Sequence, residues 1–474
     1  MLFNSLEFFL FLPTVFLLYW FVFSRKLKAQ NFLVLIGSYV FYGWWDWRFL
    51  SLIILSTIVD YSVGLKIGSS TKKLTKKKFL WLSIIINLGI LGFFKYYNFF
   101  IESWVEMFSL LGYETTSNWT LNIILPVGIS FYTFQTLSYT IDVYRGNITP
   151  TKDFISFAAF VAFFPQLMAG PIERATNLLP QILASRTFSY KQGVEGLRLI
   201  LWGMFKKVVI ADSLAYSVDT IFGSYQEFHG GILLLGAIFF SIQIYCDFSG
   251  YSDIAIGVSK LFGFELMSNF RFPYFSRNIA EFWRRWHISL STWFRDYLYI
   301  PLGGSRGSKA KTLKNIFIIF IVSGFWHGAN WAFVMWGLVH ALMYIPIFLI
   351  GKNRTYLSSV TGEDRWFPNL KEVWQMASTY FFVLIGWVFF RSESIGSAFE
   401  YLLAIPSTFQ IPLMFKQGVI YTMTLLVLEW LMRKDERSPL KTPNQVVNWI
   451  LYSVILFMIM IYMDNRVPFI YFQF

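Results

Sequence analysis

The amino-acid sequence predicts an all-α, polytopic integral membrane protein with roughly ten to twelve transmembrane helices, plus re-entrant and interfacial helices. Of its 474 residues, 56% are hydrophobic and only 14% are charged, whereas soluble domains carry about 25% charged residues. The apolar residues also occur in long blocks that short charged loops separate. This pattern indicates one membrane-embedded helical domain over residues 1–474, without a separate soluble module.

The positive charge lies in the loops between these blocks. A net charge of +13 is compatible with nucleic-acid binding, but Lys and Arg concentrate beside apolar runs, as in the cytoplasmic loops of membrane proteins. We therefore expect no nucleic-acid partner. The single Cys246 permits no intrachain disulfide, so stability has to come from helix packing. The first apolar run, residues 8–23, follows Glu7 rather than a basic segment and is expected to remain as a membrane span.

The N-terminal part of the chain alternates regularly between spans and loops. Basic loops follow residues 8–23 and residues 31–65, and both loops are expected in the cytoplasm. Residues 31–65 must therefore cross the membrane twice, with the aromatic cluster Trp44–Trp47 at the opposite interface. Residues 79–100 and 121–144 supply two further crossings. The remaining apolar stretches are residues 154–170, 194–215, 231–263, 315–350, 374–390, 418–432 and 445–463.

A basic and aromatic segment covers residues 281–298. At 100 degrees per residue, its aromatic side chains and His287 fall on one helix face. Arg284, Arg285 and Arg295 fall on the other face. This pattern predicts a single amphipathic helix at the membrane interface, with its arginines turned toward water or phosphate.

The longest uncharged run, Asn315–Gly351, contains 37 residues. It predicts either two crossings joined tightly or one crossing broken at depth. His327 lies near its middle, between Gly324 and Gly328, which allow a backbone turn. Because ionisable groups inside a membrane are costly and usually mark a pathway or a reaction site, we expect a polar chamber around His327.

His327 is the leading candidate for a catalytic residue. A neutral imidazole can take a proton from a hydroxyl group while that oxygen attacks an activated carbonyl, and histidine titrates near neutral pH. A histidine that only forms hydrogen bonds across helices would produce the same sequence pattern. Both interpretations therefore stay open at this point.

Other ionisable residues in apolar surroundings are weaker candidates. His287 is expected to pack within its aromatic face, with holding a substrate carbonyl or orienting His327 as alternatives. His340 is expected to serve packing. Asp247 and Asp253 need partners inside their apolar stretch; structural pairing is expected, and a water path or proton transfer are alternatives. We find no zinc-ligand spacing, nucleophile elbow or dinucleotide glycine pattern, and therefore predict no metal or bound cofactor.

Four motifs resemble those of a known family. They are Phe164–Ile172, Cys246–Asp253, Phe282–Trp293 and Ser323–Gly328. Their order and spacing are similar to those of the membrane-bound O-acyltransferase family, over a motif-bearing core of about residues 126–350. The ending Pro468–Phe474 and the segment Pro126–Gly146 resemble the branch that acetylates alginate and related exopolysaccharides. A shorter branch transfers D-alanine to teichoic acid.

The resemblance implies that His327 occupies the catalytic histidine position. It places His287 at a second active-site position, which is often Asn or Asp in eukaryotic members. It also implies a central funnel or tunnel, with the donor, acetyl-coenzyme A or another acyl thioester, entering from the cytoplasm and the acceptor from outside. The side chains expected to bind substrates are Asp247, Asp253, Trp283, Arg284, Arg285, Trp286, Trp326 and Asn330.

These features predict a membrane O-acyltransferase in the bacterial cytoplasmic membrane that supplies acetyl groups for O-acetylation of an extracellular polysaccharide such as alginate. The expected partners are the cytoplasmic thioester donor, membrane lipid and an extracellular polysaccharide acetyltransferase. Four arginines would either attract the phosphates of coenzyme A or anchor to anionic lipid, namely Arg277, Arg284, Arg285 and Arg295. The alternatives are D-alanyl transfer from a carrier protein, a transporter of polysaccharide or lipid-linked sugar, and a non-enzymatic scaffold.

Overall fold

The described part of the chain is helical. The computed structural model describes residues 1–113, 119–168, 170–357, 359–463 and 467–470. No strand occurs within these ranges, which confirms the predicted all-α class. Two compact units can be distinguished, an N-terminal unit (Met1–Gly193 with Val258–Met267) and a C-terminal unit (Val194–Gly257 with Ser268–Phe474).

Six described stretches are long and apolar enough to cross a membrane. They are Leu27–Ser69, Lys73–Leu110, Gly230–Leu261, Trp331–Leu349, Leu370–Arg391 and Gln445–Tyr462. The first two each contain two helices, and shorter apolar helices lie at Leu6–Val22 and Phe154–Leu167. The chain is therefore a multi-pass membrane protein, and the number of crossings remains a prediction.

Nine helices can be assigned to the described N-terminal unit. They are α1 (Leu6–Leu17), α2 (Leu27–Asp46), α3 (Leu50–Ser69), α4 (Lys73–Leu91), α5 (Tyr97–Leu110), α6 (Ile129–Arg145), α7 (Phe154–Val161), α8 (Phe164–Leu167) and α9 (Ala175–Leu183). Residues 31–65 form the pair of helices α2 and α3, as a double crossing requires, and the crossing itself stays a prediction. Asp46 ends α2 and accepts a hydrogen bond from the Arg48 N–H (3.0 Å), so the tryptophan cluster lies at the turn.

A buried carboxyl group connects three helices of this unit. Asp60 on α3 is fully buried. It accepts hydrogen bonds from Ser83 Oγ (2.5 Å) and Asn87 Nδ2 (2.9 Å), both on α4. Thr136 on α6 donates to Asn87 Oδ1 (3.3 Å). Because a buried polar group is costly without partners, this network links α3, α4 and α6; it was not predicted from the sequence.

The apolar stretch 154–170 does not form a continuous helix. Asp153 caps α7, and its carboxylate accepts a hydrogen bond from the Ser156 N–H (3.2 Å). This helix has 8 residues and α8 has only 4, so neither can span a membrane by itself. The first motif, Phe164–Ile172, begins at α8, and its Ala169 lies outside the described residues.

Eleven further helices lie mainly in the described C-terminal unit. They are α10 (Tyr190–Met204), α11 (Asp212–Gly223), α12 (Gly230–Leu261), α13 (Ile279–Arg285), α14 (Ile288–Phe294), α15 (Lys309–His327), α16 (Trp331–Leu349), α17 (Leu370–Arg391), α18 (Ile395–Ser407), α19 (Lys416–Met432) and α20 (Gln445–Tyr462). The predicted apolar stretches recover α12, α17, α19 and α20 closely. They omit α18, which with 13 residues is shorter than a membrane span.

The run Asn315–Gly351 forms two helices, α15 and α16, joined by three residues. The tight turn agrees with the prediction, α16 is long and apolar enough to cross a membrane, and a crossing by α15 stays a prediction. Gly328 lies in the turn as predicted, whereas Gly324 lies inside α15. A Cβ atom at Gly324 would overlap the carbonyl oxygen of Phe333, and one at Gly337 would overlap that of Phe320. These glycines therefore allow the two helix backbones to approach closely.

Gly337→Val is expected to open this helical hairpin. The added side chain would push against α15, and overpacking of this kind typically costs about 1–3 kcal/mol. The expected result is a lower melting temperature of the purified protein, together with weaker activity. Gly89→Ala is the matched control, because no atom lies within 4 Å of a Cβ at that helical glycine. Equal melting temperatures for the two variants would contradict the close-packing role.

The predicted single amphipathic helix over residues 281–298 is wrong. It is broken between α13 and α14, where His287 has a left-handed backbone with φ of 41°. The Ile288 N–H donates to the carbonyl oxygen of Asn269 (2.9 Å), and the Arg271 N–H donates to that of Arg285 (3.0 Å). A helical period of 100 degrees per residue does not reveal this break, because the aromatic pattern continues on both sides of His287.

Candidate active site

The two candidate histidines lie on either side of Trp326. His327 is the last residue of α15 and is 3% exposed, and His287 is fully buried. The Trp326 ring centroid lies 5.0 Å from that of His327 and 6.1 Å from that of His287. The tertiary structure therefore brings together two histidines that are 40 residues apart in the chain.

Aromatic rings surround His327. The rings of Trp336 and Phe390 lie 5.0 and 5.4 Å from its imidazole, and both meet it edge-on. These neighbours fix the plane of the imidazole, which a residue that transfers protons requires. The polar chamber expected around this side chain stays a prediction.

His287 combines backbone strain with deep burial. Residues other than glycine seldom adopt positive φ, and such conformations concentrate at functional sites. Burial lowers the pKa of His287 to about 3, so its imidazole is neutral at physiological pH. A neutral imidazole has one N–H donor and one acceptor nitrogen. This side chain can therefore donate a hydrogen bond to a carbonyl oxygen.

A cavity of about 410 Å³ lies beside α15. Its lining is mainly apolar and includes Trp283, Phe320 and Ser323, with Arg284 and Arg354 among the polar groups. Ser323 precedes His327 by four residues on the same helix, so the two side chains share one face. The cavity therefore ends about one helical turn from the candidate catalytic histidine, and its volume is within the usual range of ligand pockets.

Arg284 is held rigidly in the wall of this cavity. Its Nη1 donates to the carbonyl oxygen of Asn353 (2.8 Å) and its Nε to that of Tyr356 (3.2 Å). Its Nη2 is buried without a hydrogen-bond partner among the described atoms. Arg284 therefore lines the cavity, while its unpartnered Nη2 is buried, and a substrate contact at this side chain stays a prediction.

Arg285 and Arg277 have a different environment. Both pair with the buried carboxylate of Glu281, at 2.8 Å from Arg285 Nη2 and 3.0 Å from Arg277 Nη2. These side chains hold α13 in place rather than pointing to solvent or phosphate. Trp286 is also buried, with ring centroids 4.8 Å from Trp387 and 5.6 Å from Phe282. Substrate contacts at Arg285 and Trp286 stay predictions.

Asp247 and Asp253 pair with two consecutive lysines. Lys207 Nζ lies 2.7 Å from Asp247 and 2.7 Å from Asp212, and Lys206 Nζ lies 2.8 Å from Asp253. All but Asp253 are almost fully buried. The geometry supports structural pairing. The sequence could have indicated these lysines as the partners, because two adjacent lysines inside an apolar stretch also need partners.

The same charges hold the segment Val467–Ile470. Lys207 Nζ donates to the carbonyl oxygen of Val467 (3.0 Å), and the Ile470 N–H donates to Asp247 Oδ2 (2.6 Å). Phe469 then packs against Phe248 (6.1 Å between centroids), whose ring meets His287 edge-on at 4.6 Å. The buried ion pair is therefore connected by packing to the active-site histidine.

Asn330 and His340 complete the predicted set. Asn330 Oδ1 accepts from the Ala332 N–H (2.8 Å), and its Nδ2 donates to the carbonyl oxygen of Glu393 (2.9 Å). The amide therefore caps α16, and a substrate contact there stays a prediction. His340 is fully buried, with ring centroids 4.9 Å from Trp336 and 5.0 Å from Trp283. This location fits the expected packing role.

A multi-pass helical bundle that buries two histidines beside a ligand-sized cavity defines an integral membrane enzyme. The chain belongs to the membrane-bound O-acyltransferase family, whose model matches residues 48–350. It is therefore an O-acyltransferase, and the resemblance seen in the four motifs is confirmed.

Individual relatives agree with this membership. The chain is 44% identical to the probable alginate O-acetylase AlgI of Pseudomonas syringae pv. tomato, covering 84% of this chain and 74% of the relative. It is 35% identical to the peptidoglycan O-acetyltransferase of Helicobacter pylori, covering 85% and 79%. The teichoic acid D-alanyltransferase of Bacillus subtilis is more distant, at 28% identity over 57% of this chain and 70% of the relative.

Proposed function

We propose that this protein moves an acetyl group from a cytoplasmic acyl thioester to a hydroxyl acceptor at the outer side of the bacterial cytoplasmic membrane, for O-acetylation of an extracellular polysaccharide such as alginate. The acceptor is either the polymer or an exported acetyltransferase that modifies it. The relatives named above support the acetyl group and the polysaccharide. The cavity beside α15 is the observation that carries the proposal.

The basic residues near the cavity support a cytoplasmic entrance for the donor. Helix α15 starts with Lys309, Lys311 and Lys314, so its first turns belong on the cytoplasmic side. Arg354, which follows α16, lies at the same side of the helical hairpin and lines the cavity. The other end of the cavity is at Ser323, near His327. A phosphopantetheine arm, which coenzyme A and carrier proteins share, fits such an apolar passage with cations at its basic end.

The two histidines have separate tasks in the proposed reaction. His327 takes the proton from the acceptor hydroxyl while that oxygen forms a bond to the acyl carbon. The carbon–sulfur bond then breaks, and His327 returns the proton to the leaving thiolate. His287, as a neutral donor, polarises the acyl carbonyl and stabilises the charge that develops on its oxygen.

The test is acetyl transfer by the purified full-length protein in lipid vesicles. Acetyl-coenzyme A labelled in its acetyl group is supplied on one side, and alginate oligosaccharides with the exported acetyltransferase are supplied on the other. Label bound covalently to either acceptor is the expected result. Transport of saccharide without turnover of the thioester would instead establish the transporter alternative. Supplying an acetylated carrier protein in place of acetyl-coenzyme A identifies the donor.

Arg284→Met is expected to raise the KM for acetyl-coenzyme A about tenfold with little change in kcat. The loss of one charge-assisted hydrogen bond to a phosphate costs about 1.5–3 kcal/mol, which is at least a factor of ten in affinity. S-acetylpantetheine, which lacks the phosphate, is the control substrate, and its KM should not change. An equal effect on both thioesters would show that Arg284 does not bind phosphate.

A further inference from the structure

Asn269 directly supports the strained turn at His287. It precedes the 3₁₀ turn Pro273–Phe275 and is 1% exposed. Its carbonyl oxygen accepts from the Ile288 N–H (2.9 Å), and its Oδ1 accepts from Ser289 Oγ (2.6 Å). Both bonds hold the two residues that follow His287. The next residue, Phe270, has its ring centroid 6.4 Å from that of His287.

The amide nitrogen of Asn269 is not used in these contacts. Asn269 Nδ2 is buried and has no hydrogen-bond partner among the atoms that the structure describes. Leaving a buried donor unsatisfied is costly, so native proteins rarely do so without a reason. Rotating the amide by 180 degrees would not remove this cost: Nδ2 would then donate to Ser289 Oγ, and Oδ1 would become the buried atom without a partner.

Resting on the function proposed above, we infer that Asn269 is a catalytic residue whose Nδ2 donates a hydrogen bond to the carbonyl oxygen of the transferred acyl group. His287 supplies the second donor, so the two side chains form an oxyanion hole. The unused donor and the turn that connects it to His287 carry this inference.

The reaction explains why two donors are needed. When the acceptor oxygen bonds to the acyl carbon, the electron pair of the carbonyl moves onto its oxygen, which becomes negatively charged. This electron pair re-forms the carbonyl bond when the carbon–sulfur bond breaks, and the leaving thiolate then receives the proton held by His327. Donors that are already in position stabilise that charge without reorganisation, and each typically contributes about 100- to 1000-fold to kcat.

Asn269→Asp tests this role, because it removes the unused donor and retains both structural bonds. We expect kcat for acetyl transfer from acetyl-coenzyme A to fall about 100-fold, with a small change in KM. Asn269→Leu, which has a similar shape and no charge, should lose at least as much. Ser289→Ala breaks only the structural bond and should have a much smaller effect on kcat.

Asn448→Asp is the control for placing a carboxylate at a buried asparagine. Both polar atoms of Asn448 form hydrogen bonds with the main chain of Thr442, at 2.7 and 3.1 Å. The kcat of the Asn448→Asp variant should therefore stay at the parental value. If Asn269→Asp keeps the parental kcat, the inference is wrong whatever Ser289→Ala does. If the parent itself transfers no acetyl group, the proposed function is wrong and the inference fails with it.

Discussion

His327→Ala is expected to reduce kcat for acetyl transfer about 100- to 10,000-fold, the usual contribution of a general base. His327 ends α15 about one helical turn after Ser323, which lines the cavity. The measurement is the initial rate with labelled acetyl-coenzyme A, normalised to the fraction of protein that melts cooperatively.

His340→Phe is the matched control for this variant. It also removes a buried imidazole from the same hairpin, but His340 packs against aromatic rings and Gly386, and phenylalanine has a similar shape. We expect most of the parental rate. A folded His327→Ala protein with the parental rate would refute the catalytic assignment, and the search for the base would then move to the acceptor side.

Lys207→Met is expected to lower the free energy of unfolding by about 3–5 kcal/mol, because breaking a buried ion pair leaves the remaining charges unpaired. Two buried carboxylates, Asp212 and Asp247, lose their shared cation, and the carbonyl oxygen of Val467 loses its donor. The measurement is thermal unfolding in detergent at constant pH. Activity should fall as well, since Phe469 and Phe248 would no longer be held against His287.

Two further variants show whether the buried charge causes this loss. Adding Asp247→Asn to Lys207→Met removes one unpaired carboxylate and should recover part of the stability. Arg48→Met breaks an exposed pair with Asp46, and such surface pairs contribute only about 0–1 kcal/mol. A Lys207→Met protein as stable as Arg48→Met would show that the buried cluster does not support the fold.

Features that depend on local composition could be predicted from the sequence. Apolar length identified α12, α17, α19 and α20, because each long membrane helix needs a long uncharged stretch. The same reasoning identified the hairpin around Gly328, since 37 uncharged residues exceed one crossing. The four motifs identified the family, whereas the catalytic roles of both histidines stay predictions. These predictions hold because membrane insertion and motif chemistry depend on residues that are neighbours in the chain.

Features that depend on one backbone angle or one distant partner could not be predicted. The aromatic period continued through His287, so only the structure showed the break there. The sequence did not distinguish Arg284 from Arg277 and Arg285. In the structure, Glu281 pairs with Arg277 and Arg285, whereas Arg284 lines the cavity. The pairing of Lys206 and Lys207 with their carboxylates likewise depends on which helices pack together.

The sequence alone predicts a helical membrane enzyme with His327 at the end of a tight hairpin. It can do so because burying charge in lipid is costly, which limits where each segment can lie. Tertiary packing decides which donors and cations lie around the acyl carbonyl in the proposed reaction. Hydrogen bonds extend only about 3 Å, so the role inferred for Asn269 depends on the folded chain holding it next to the turn at His287.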